Sequence, residues 1–252
     1  MKLKELLQEI DDVQKKYKLS KVFACGGTPR DKLLGRLEKI SDLDLTTGDA
    51  SVKELAVESA ITLGKKYHIQ MKLSSDGHST MTFGNLKVDF SSNFNIAGID
   101  NLLIKENIKS PTSLQKEMFS RDFNCNAILL DFDLKTITDP TNKGVSDIKN
   151  KIVDTCLNPA VTLTTFPNRV IRSIYLCAKL DFNLHPRVEE WIKKNPISVQ
   201  NATPKGLSEK IVKALESDKD KTIYLFDKLG LWGFLPMLDE LAPYTKNRKQ
   251  NV

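Results

Sequence analysis

Long apolar runs are missing from this chain, and nothing in it approaches the roughly 20 residues that a membrane-spanning helix needs. The opening stretch Met1-Lys2-Leu3-Lys4-Glu5-Leu6-Leu7 lacks the apolar core of a secretory signal, so export is not expected. Cysteine is scarce. The four present (Cys25, Cys125, Cys156 and Cys177) are far apart and form no C-x-x-C pair, which points to buried thiols in a reducing cytoplasm rather than a disulfide scaffold. The three histidines, His68, His78 and His185, are too scattered for a zinc site. Internal repeats and low-complexity tracts are absent as well.

What remains is a soluble, globular composition: 252 residues, 40% hydrophobic and 28% charged, enough for one large domain or two small ones. The net charge of +6 suits a polyanionic partner and equally suits a solvated Lys-rich surface, so by itself it decides nothing.

Periodicity supplies the organisation. Leu3, Leu6, Leu7, Ile10 and Val13 recur at helical spacing. Lys21 to Cys25 reads as a strand ending in the turn Gly26-Gly27, and Pro29 suits the first turn of a helix. Asp42-Leu43-Asp44-Leu45-Thr46 alternates with period two, as a half-buried strand does. Residues 51–66 read as a helix with Ser51 as its cap, followed by strands near 69–73, 79–83 and 86–90. Residues 91–112 read as a loop, and 124–130 with 136–138 as a strand pair. Strands then stop, and helices are expected over 165–181, 186–194, 206–216 and 219–230. The expected fold class is α/β (α+β), with a mixed, mainly antiparallel sheet over residues 1–155 and an all-helical domain over 156–252 that ends in a frayed basic tail, Lys246–Gln250.

In a strand, residues i and i+2 share a face, so Asp42 and Asp44 project together while Leu43 and Leu45 enter the core. Two adjacent carboxylates repel unless a cation lies between them, and Mg²⁺ is the usual one. A D-x-D pair alone is a weak signal, most often a solvated surface. Upstream, Gly26-Gly27 would let backbone N–H groups approach a phosphate, or simply form a turn. Arg30 suits phosphate neutralisation and a structural pairing equally well. Asp89, on the alternating Leu86–Phe90 stretch, fits a third metal-site carboxylate and an exposed strand residue equally.

Phe23 to Arg36 followed by Ser41 to Thr46 resembles the head domain of bacterial-type poly(A) polymerases and class II tRNA nucleotidyltransferases (CCA-adding enzymes), within the polymerase β superfamily; the family pattern is G-G-x-x-R-D, then D-x-D. Ser120-Arg121-Asp122-Phe123-Asn124-Cys125-Asn126-Ala127 resembles its R-R-D-F-T-x-N-A motif, and Asp139-Pro140 with Gly144 to Leu157 its exit from the head. The resemblance implies a polymerase-β-like head and a helical neck, with Asp42 and Asp44 holding two Mg²⁺ ions and Asp89 a candidate third catalytic carboxylate. It implies nucleotide contacts from Gly26, Gly27, Arg30, Arg121, Asp122, Asn126, Arg169 and Arg172. Physically, Arg121 offers a rigid donor fork to phosphate, while Asp122 and Asn126 can hydrogen-bond a ribose hydroxyl.

Thr165-Phe166-Pro167-Asn168-Arg169-Val170-Ile171-Arg172 resembles the family's E-D-P-x-R-I-L-R helix, whose acidic pair and first arginine form an amino-acid template for the base of CTP or ATP. Both arginines are here, but Thr165 and Phe166 stand where the acids do; a phenyl ring stacks on a base yet cannot accept a hydrogen bond from it. Residues 206–215, then 229–236, resemble the end of the neck, and the family's body and tail have no counterpart. The implied activity is template-independent addition of nucleotides, from ATP or CTP, to an RNA 3′ end, tRNA foremost. The RNA would be held by head and neck surface, the basic tail, a homodimer mate or another protein. A binding module that has lost catalysis and a transferase with a non-RNA acceptor are the other readings that these residues allow.

Overall fold

A computed structural model of the chain describes residues 3–37, 41–74, 78–92 and 96–245. The expected tail Lys246–Gln250 lies outside the described residues. The chain divides into two compact units, one made of Met1–Arg121 with Cys125–Val145, the other of Asp122–Asn124 with Ser146–Val252.

The first unit begins with α1 (Leu3–Lys16), which buries Leu6, Leu7, Ile10 and Val13, the face set by their helical spacing. β1 (Phe23–Cys25) leads into α2 (Gly27–Leu33), followed by β2 (Asp42–Thr46) and α3 (Ser51–Gly64). The N-terminus of α3 is held by Asp49 rather than Ser51: the Asp49 carboxylate accepts from Ser51 N at 2.9 Å and Ser51 Oγ at 2.5 Å. Burial works against the Asp49 charge, but hydrogen bonds from Ser20, Ser51 and Thr47 still hold its carboxyl below the usual range. β3 (Gln70–Leu73), β4 (Ser79–Phe83) and β5 (Leu86–Phe90) follow as an antiparallel run.

Residues 91–112, expected as a loop, include the helix α4 (Ile99–Lys105), which starts after Gly98 in the left-handed region and buries Ile99 and Leu103. α5 (Ser113–Ser120) has a capping box: the Thr112 side chain accepts from Gln115 N, and the Gln115 side chain accepts from Thr112 N. β6 (Leu129–Leu130) and β7 (Ile137–Thr138) complete a sheet of seven strands in the order β3-β4-β5-β2-β1-β6-β7. Every neighbouring pair is antiparallel except β2 with β5, which is parallel. The sheet is therefore mixed and mainly antiparallel, as expected. One hydrophobic core joins Leu43 and Leu45 of β2 and Val88 and Phe90 of β5 to Leu6 and Leu7 of α1 and Leu55 and Leu63 of α3. Full burial of each such side chain contributes about 1.5–3 kcal/mol, so the outward face of β2 is decided by its leucines.

α6 (Gly144–Lys149) crosses from one unit into the other. The second unit continues with β8 (Ile152–Val153), α7 (Pro159–Thr165), α8 (Asn168–Leu180), β9 (Asn183–Leu184), α9 (Pro186–Lys194), α10 (Pro204–Ser217), α11 (Lys219–Lys228) and the short α12 (Ala242–Thr245). It is not wholly helical, which corrects the expectation from sequence. α8 ends at Asp181 in the left-handed region, and the chain then extends so that β9 pairs in parallel with β8, Asn183 N donating to Lys151 O and His185 N to Val153 O. α8 buries Val170, Ile171, Ile174 and Cys177 and packs on α10 and α11, which bury Leu207, Ile211, Leu225 and Phe226. The expected 165–181 helix is broken at Phe166-Pro167, because proline leaves the preceding helix without a donor. Among the described residues no helix is long and apolar enough to cross a membrane.

Candidate active site

β2 presents Asp42 exposed and Asp44 half-buried, on the face opposite the buried Leu43 and Leu45. Its parallel pairing with β5 sets Asp42 beside Lys87 and Asp44 beside Asp89. Register neighbours share a face of a sheet, so three carboxylates and one ammonium lie together. Asp89 Oδ1 accepts from Thr80 Oγ1 at 2.6 Å, and Lys87 Nζ donates to Asp89 Oδ2. The hydrogen bond to Asp89, with the nearby charges of Asp89, Asp42 and Asp44, raises the Lys87 pKa against the opposing effect of burial. Among the described residues no three His, Cys, Asp or Glu side chains are grouped so as to hold a metal ion. Asp89 thus has one oxygen bound by Thr80 and the other by Lys87. Asp42 and Asp44 form a two-carboxylate donor set, which fits an ion such as Mg²⁺ that takes one or two carboxylates and completes its shell with water and phosphate.

The turn before α2 presses against this pair. Gly26 has φ +69°, and a Cβ there would clash with Asp44 Oδ2, far closer than van der Waals contact allows. Only a residue without a side chain lets the backbone approach the carboxylate so closely. Gly26→Ala is therefore expected to displace Asp44 and lower turnover about a hundredfold, with only a modest drop in thermal midpoint. Steady-state rates and melting curves compared on one preparation test this, and a variant with wild-type turnover would contradict the close approach.

Arg30, 4% exposed, donates through Nη1 to Asn126 Oδ1 at 2.6 Å and pairs with Asp31 at 2.8 Å, tying α2 to the segment after α5. Of its two readings from sequence, the structural pairing is the one these contacts show. A Cβ on Gly27 would lie 3.2 Å from Arg30 Nη2, so Gly27 makes room for that guanidinium. Arg121 is turned inward too. Its Nη2 donates to Glu117 Oε1 at 3.1 Å and meets Cys25 Sγ, while its buried Nε has no hydrogen-bond partner. Burial works against the Arg121 charge, yet Cys25, Glu117 and Asp44 raise its pKa above the ordinary arginine value. Burial pushes the Cys25 thiol up, against the opposing pull of the Arg121 charge.

In the second unit, Asp122 is ion-paired to Arg172 Nε and accepts from Phe123 N at 2.8 Å. The Arg169 guanidinium lies 4.4 Å from the centroid of the Phe166 ring. Lys210, on α10, has its pKa lowered by burial and by the charges of Arg172 and Lys213.

A family model described as the poly A polymerase head domain matches residues 22–154, more than half of the chain and the stretch that carries both acidic strands. The chain belongs to the poly(A) polymerase head-domain family. A CCA-adding enzyme of Lactobacillus helveticus (strain DPC 4571) is 27% identical over 193 residues, 76% of this chain and 45% of that enzyme. Poly(A) polymerase I of Haemophilus influenzae is 24% identical over 233 residues, 91% of this chain and 50% of that enzyme. The chain spans about half the length of these curated relatives. Its fold is that of the solved CCA-adding enzyme of Bacillus stearothermophilus in complex with CTP, with TM-score 0.73 and 22% identity over 98% of this chain and 57% of that one.

Within this head domain, sequence reasoning overlooked Lys87, Thr80 and Glu117. Glu117 precedes Arg121 by one helical turn, a spacing that marks an ion pair. Lys87 was there to be found as the i−2 neighbour of Asp89 on an alternating strand.

Proposed function

We propose that this chain is the catalytic head and helical neck of a template-independent RNA nucleotidyltransferase that adds nucleotides from ATP or CTP to an RNA 3′ end, tRNA being the acceptor suggested by its relatives. The observation that carries this reading is the pair Asp42 and Asp44 on one strand face, with the backbone of Gly26 packed against Asp44. Two Mg²⁺ ions bound there would lower the pKa of the attacking 3′-hydroxyl and stabilise charge on the triphosphate. The chain's own part is positional. Leu43 and Leu45, fully buried, fix the strand so that both carboxylates point outward. Arg30, through Asn126 and Asp31, sets the turn that brings the Gly26-Gly27 backbone beside them. Arg121 and Glu117 brace the same strands from the inside. Asp122, Arg169 and Arg172 are proposed nucleotide contacts by resemblance to the family motifs.

Phe166 under Arg169 offers a stacking platform and a donor, with no carboxylate to accept from an exocyclic amine. Base selection is accordingly expected to be relaxed, with the four nucleotides incorporated within about a hundredfold of one another, the scale of discrimination without a dedicated hydrogen bond. RNA incubated separately with each labelled triphosphate tests activity and selectivity together. No incorporation of any nucleotide would overturn the function; incorporation of one nucleotide alone would overturn the relaxed selection.

A further inference from the structure

The lysines of the second unit fall into two groups. On α9 and α11, Lys193 and Lys228 pair with Glu189, Lys194 with Glu190, and Lys221 with Asp181. Lys179 of α8 and Lys210 and Lys213 of α10 pair with no carboxylate among the described residues. Partners were within reach: Glu209 and Glu216 stand four residues before and three after Lys213, spacings at which ion pairs form on a helix. Lys179 and Lys210 turn instead to the half-buried Tyr175, their Nζ atoms 5.7 Å and 5.6 Å from its ring centroid. Burial and the charges of Arg172 and Lys213 lower the Lys210 pKa, and Glu209 and Asp122 oppose them without cancelling. Asp122 is itself paired with Arg172. The packed helices α8 and α10 thus carry a cationic strip around one tyrosine, and from Arg172 to Lys179 it runs roughly 10 Å.

We propose that Lys179, Lys210 and Lys213 bind the phosphodiester backbone of the RNA acceptor. The proposal rests on the reading of the chain as an RNA nucleotidyltransferase. Clustered ammonium groups repel one another, and a polyanion relieves that repulsion. Phosphates recur along a nucleic-acid strand at intervals shorter than the strip, so one stretch of RNA meets more than one lysine. The strip starts at the Asp122–Arg172 pair, a proposed nucleotide contact. An RNA 3′ end must lie beside the incoming nucleotide, so the acceptor's own phosphates are the anions placed to reach these lysines. Lysine meets phosphate as a point charge and reads no base. The strip therefore sets affinity for the acceptor and leaves the choice of nucleotide to other residues. Tyr175 is a positioning residue here, fixing two of the ammonium groups.

The test is binding of a labelled single-stranded RNA to the full chain, followed by fluorescence anisotropy across a salt series. Lys179→Gln, Lys210→Gln and Lys213→Gln combined are expected to weaken binding about tenfold and to flatten the plot of log affinity against log salt by about two, since each phosphate contact on a single strand contributes about 0.7. The same three positions changed to Arg should bind as wild type does. Lys193→Gln, Lys194→Gln and Lys228→Gln combined remove equal charge from the paired lysines and should leave the salt slope unchanged. In steady state, the strip variant should raise KM for RNA about tenfold, with KM for the triphosphate within about twofold of wild type. Equal salt slopes in wild type and strip variant would overturn the proposal, as would an equal loss in the paired-lysine variant, which would make net charge alone responsible. Unchanged RNA binding with weakened binding to polyglutamate would overturn it in favour of an acidic protein partner. RNA held through these lysines but never extended would uphold the strip and remove the nucleotidyltransferase reading beneath it.

Discussion

Replacing Asp42 or Asp44 by alanine is expected to lower nucleotide incorporation at least about a thousandfold while leaving the chain folded. The two parts of this expectation come from different properties of one strand. Activity falls because each side chain is half of a two-carboxylate donor set, and one remaining carboxylate holds a divalent ion poorly. The fold survives because β2 is anchored by Leu43 and Leu45 on its other face, both at most 1% exposed, and by pairing on both sides with β1 and β5. Asp42 is exposed, and its removal relieves repulsion with Asp44, so its thermal midpoint should lie at or slightly above wild type. Incorporation into an RNA primer, measured beside circular dichroism melts, separates the two effects. Full activity in either variant would sink the two-carboxylate mechanism. A collapsed midpoint would mean that the carboxylates are structural.

That strand was legible because its pattern is local. Alternation of period two fixes which residues face the core, and Leu43 and Leu45 are buried as it requires. The register of β2 with β5 was not legible: the strands are separated by α3, β3 and β4, and only the assembled sheet sets Asp44 beside Asp89. The ambiguity over Asp89 was therefore a matter of tertiary pairing, and its contact with Thr80 depends on β4 lying beside β5. α4 escaped notice because seven residues with two buried side chains give too short a period to register against the surrounding Ser, Asn and Gly. β9 escaped because a two-residue strand has no alternation to detect. Arg121 was legible as a motif but not as a contact. An arginine beside a family-like Asp-Phe reads as a phosphate fork, whereas the structure turns its guanidinium inward to a glutamate one turn earlier. The departure at Phe166 was readable residue by residue. Its stacking under Arg169 follows from the helix break at Pro167, which a bare sequence pattern does not position.

Glu117 carries the largest expected effect on stability. It is 0% exposed, accepts from Thr46 Oγ1 at 2.5 Å and pairs with Arg121 at 3.1 Å. Thr46 Oγ1 in turn accepts from Gly48 N at 2.9 Å, and a Cβ on Gly48 would lie 2.7 Å from the Leu114 side chain, so α5 is docked tightly on the turn that ends β2. Glu117→Ala would leave the Arg121 guanidinium buried without its anion and Thr46 without its acceptor. Removing one partner of such a pair costs about 3–5 kcal/mol, far more than the pair contributes over an apolar replacement of similar volume. Urea denaturation should show that loss as a lower midpoint at unchanged slope. Glu117→Gln, which keeps the acceptor but not the charge, should lose less. The double variant Glu117→Met with Arg121→Met should recover much of the stability lost in Glu117→Ala, since neither a stranded charge nor a cavity remains. Activity of that double variant then reports on the strand itself. Near-normal turnover would mean that Arg121 serves only to hold β1 and β2 in place; turnover lost in a stable double variant would mean that its charge acts on the nucleotide. A Glu117→Ala protein as stable as wild type would show that the buried pair does not brace the active strand.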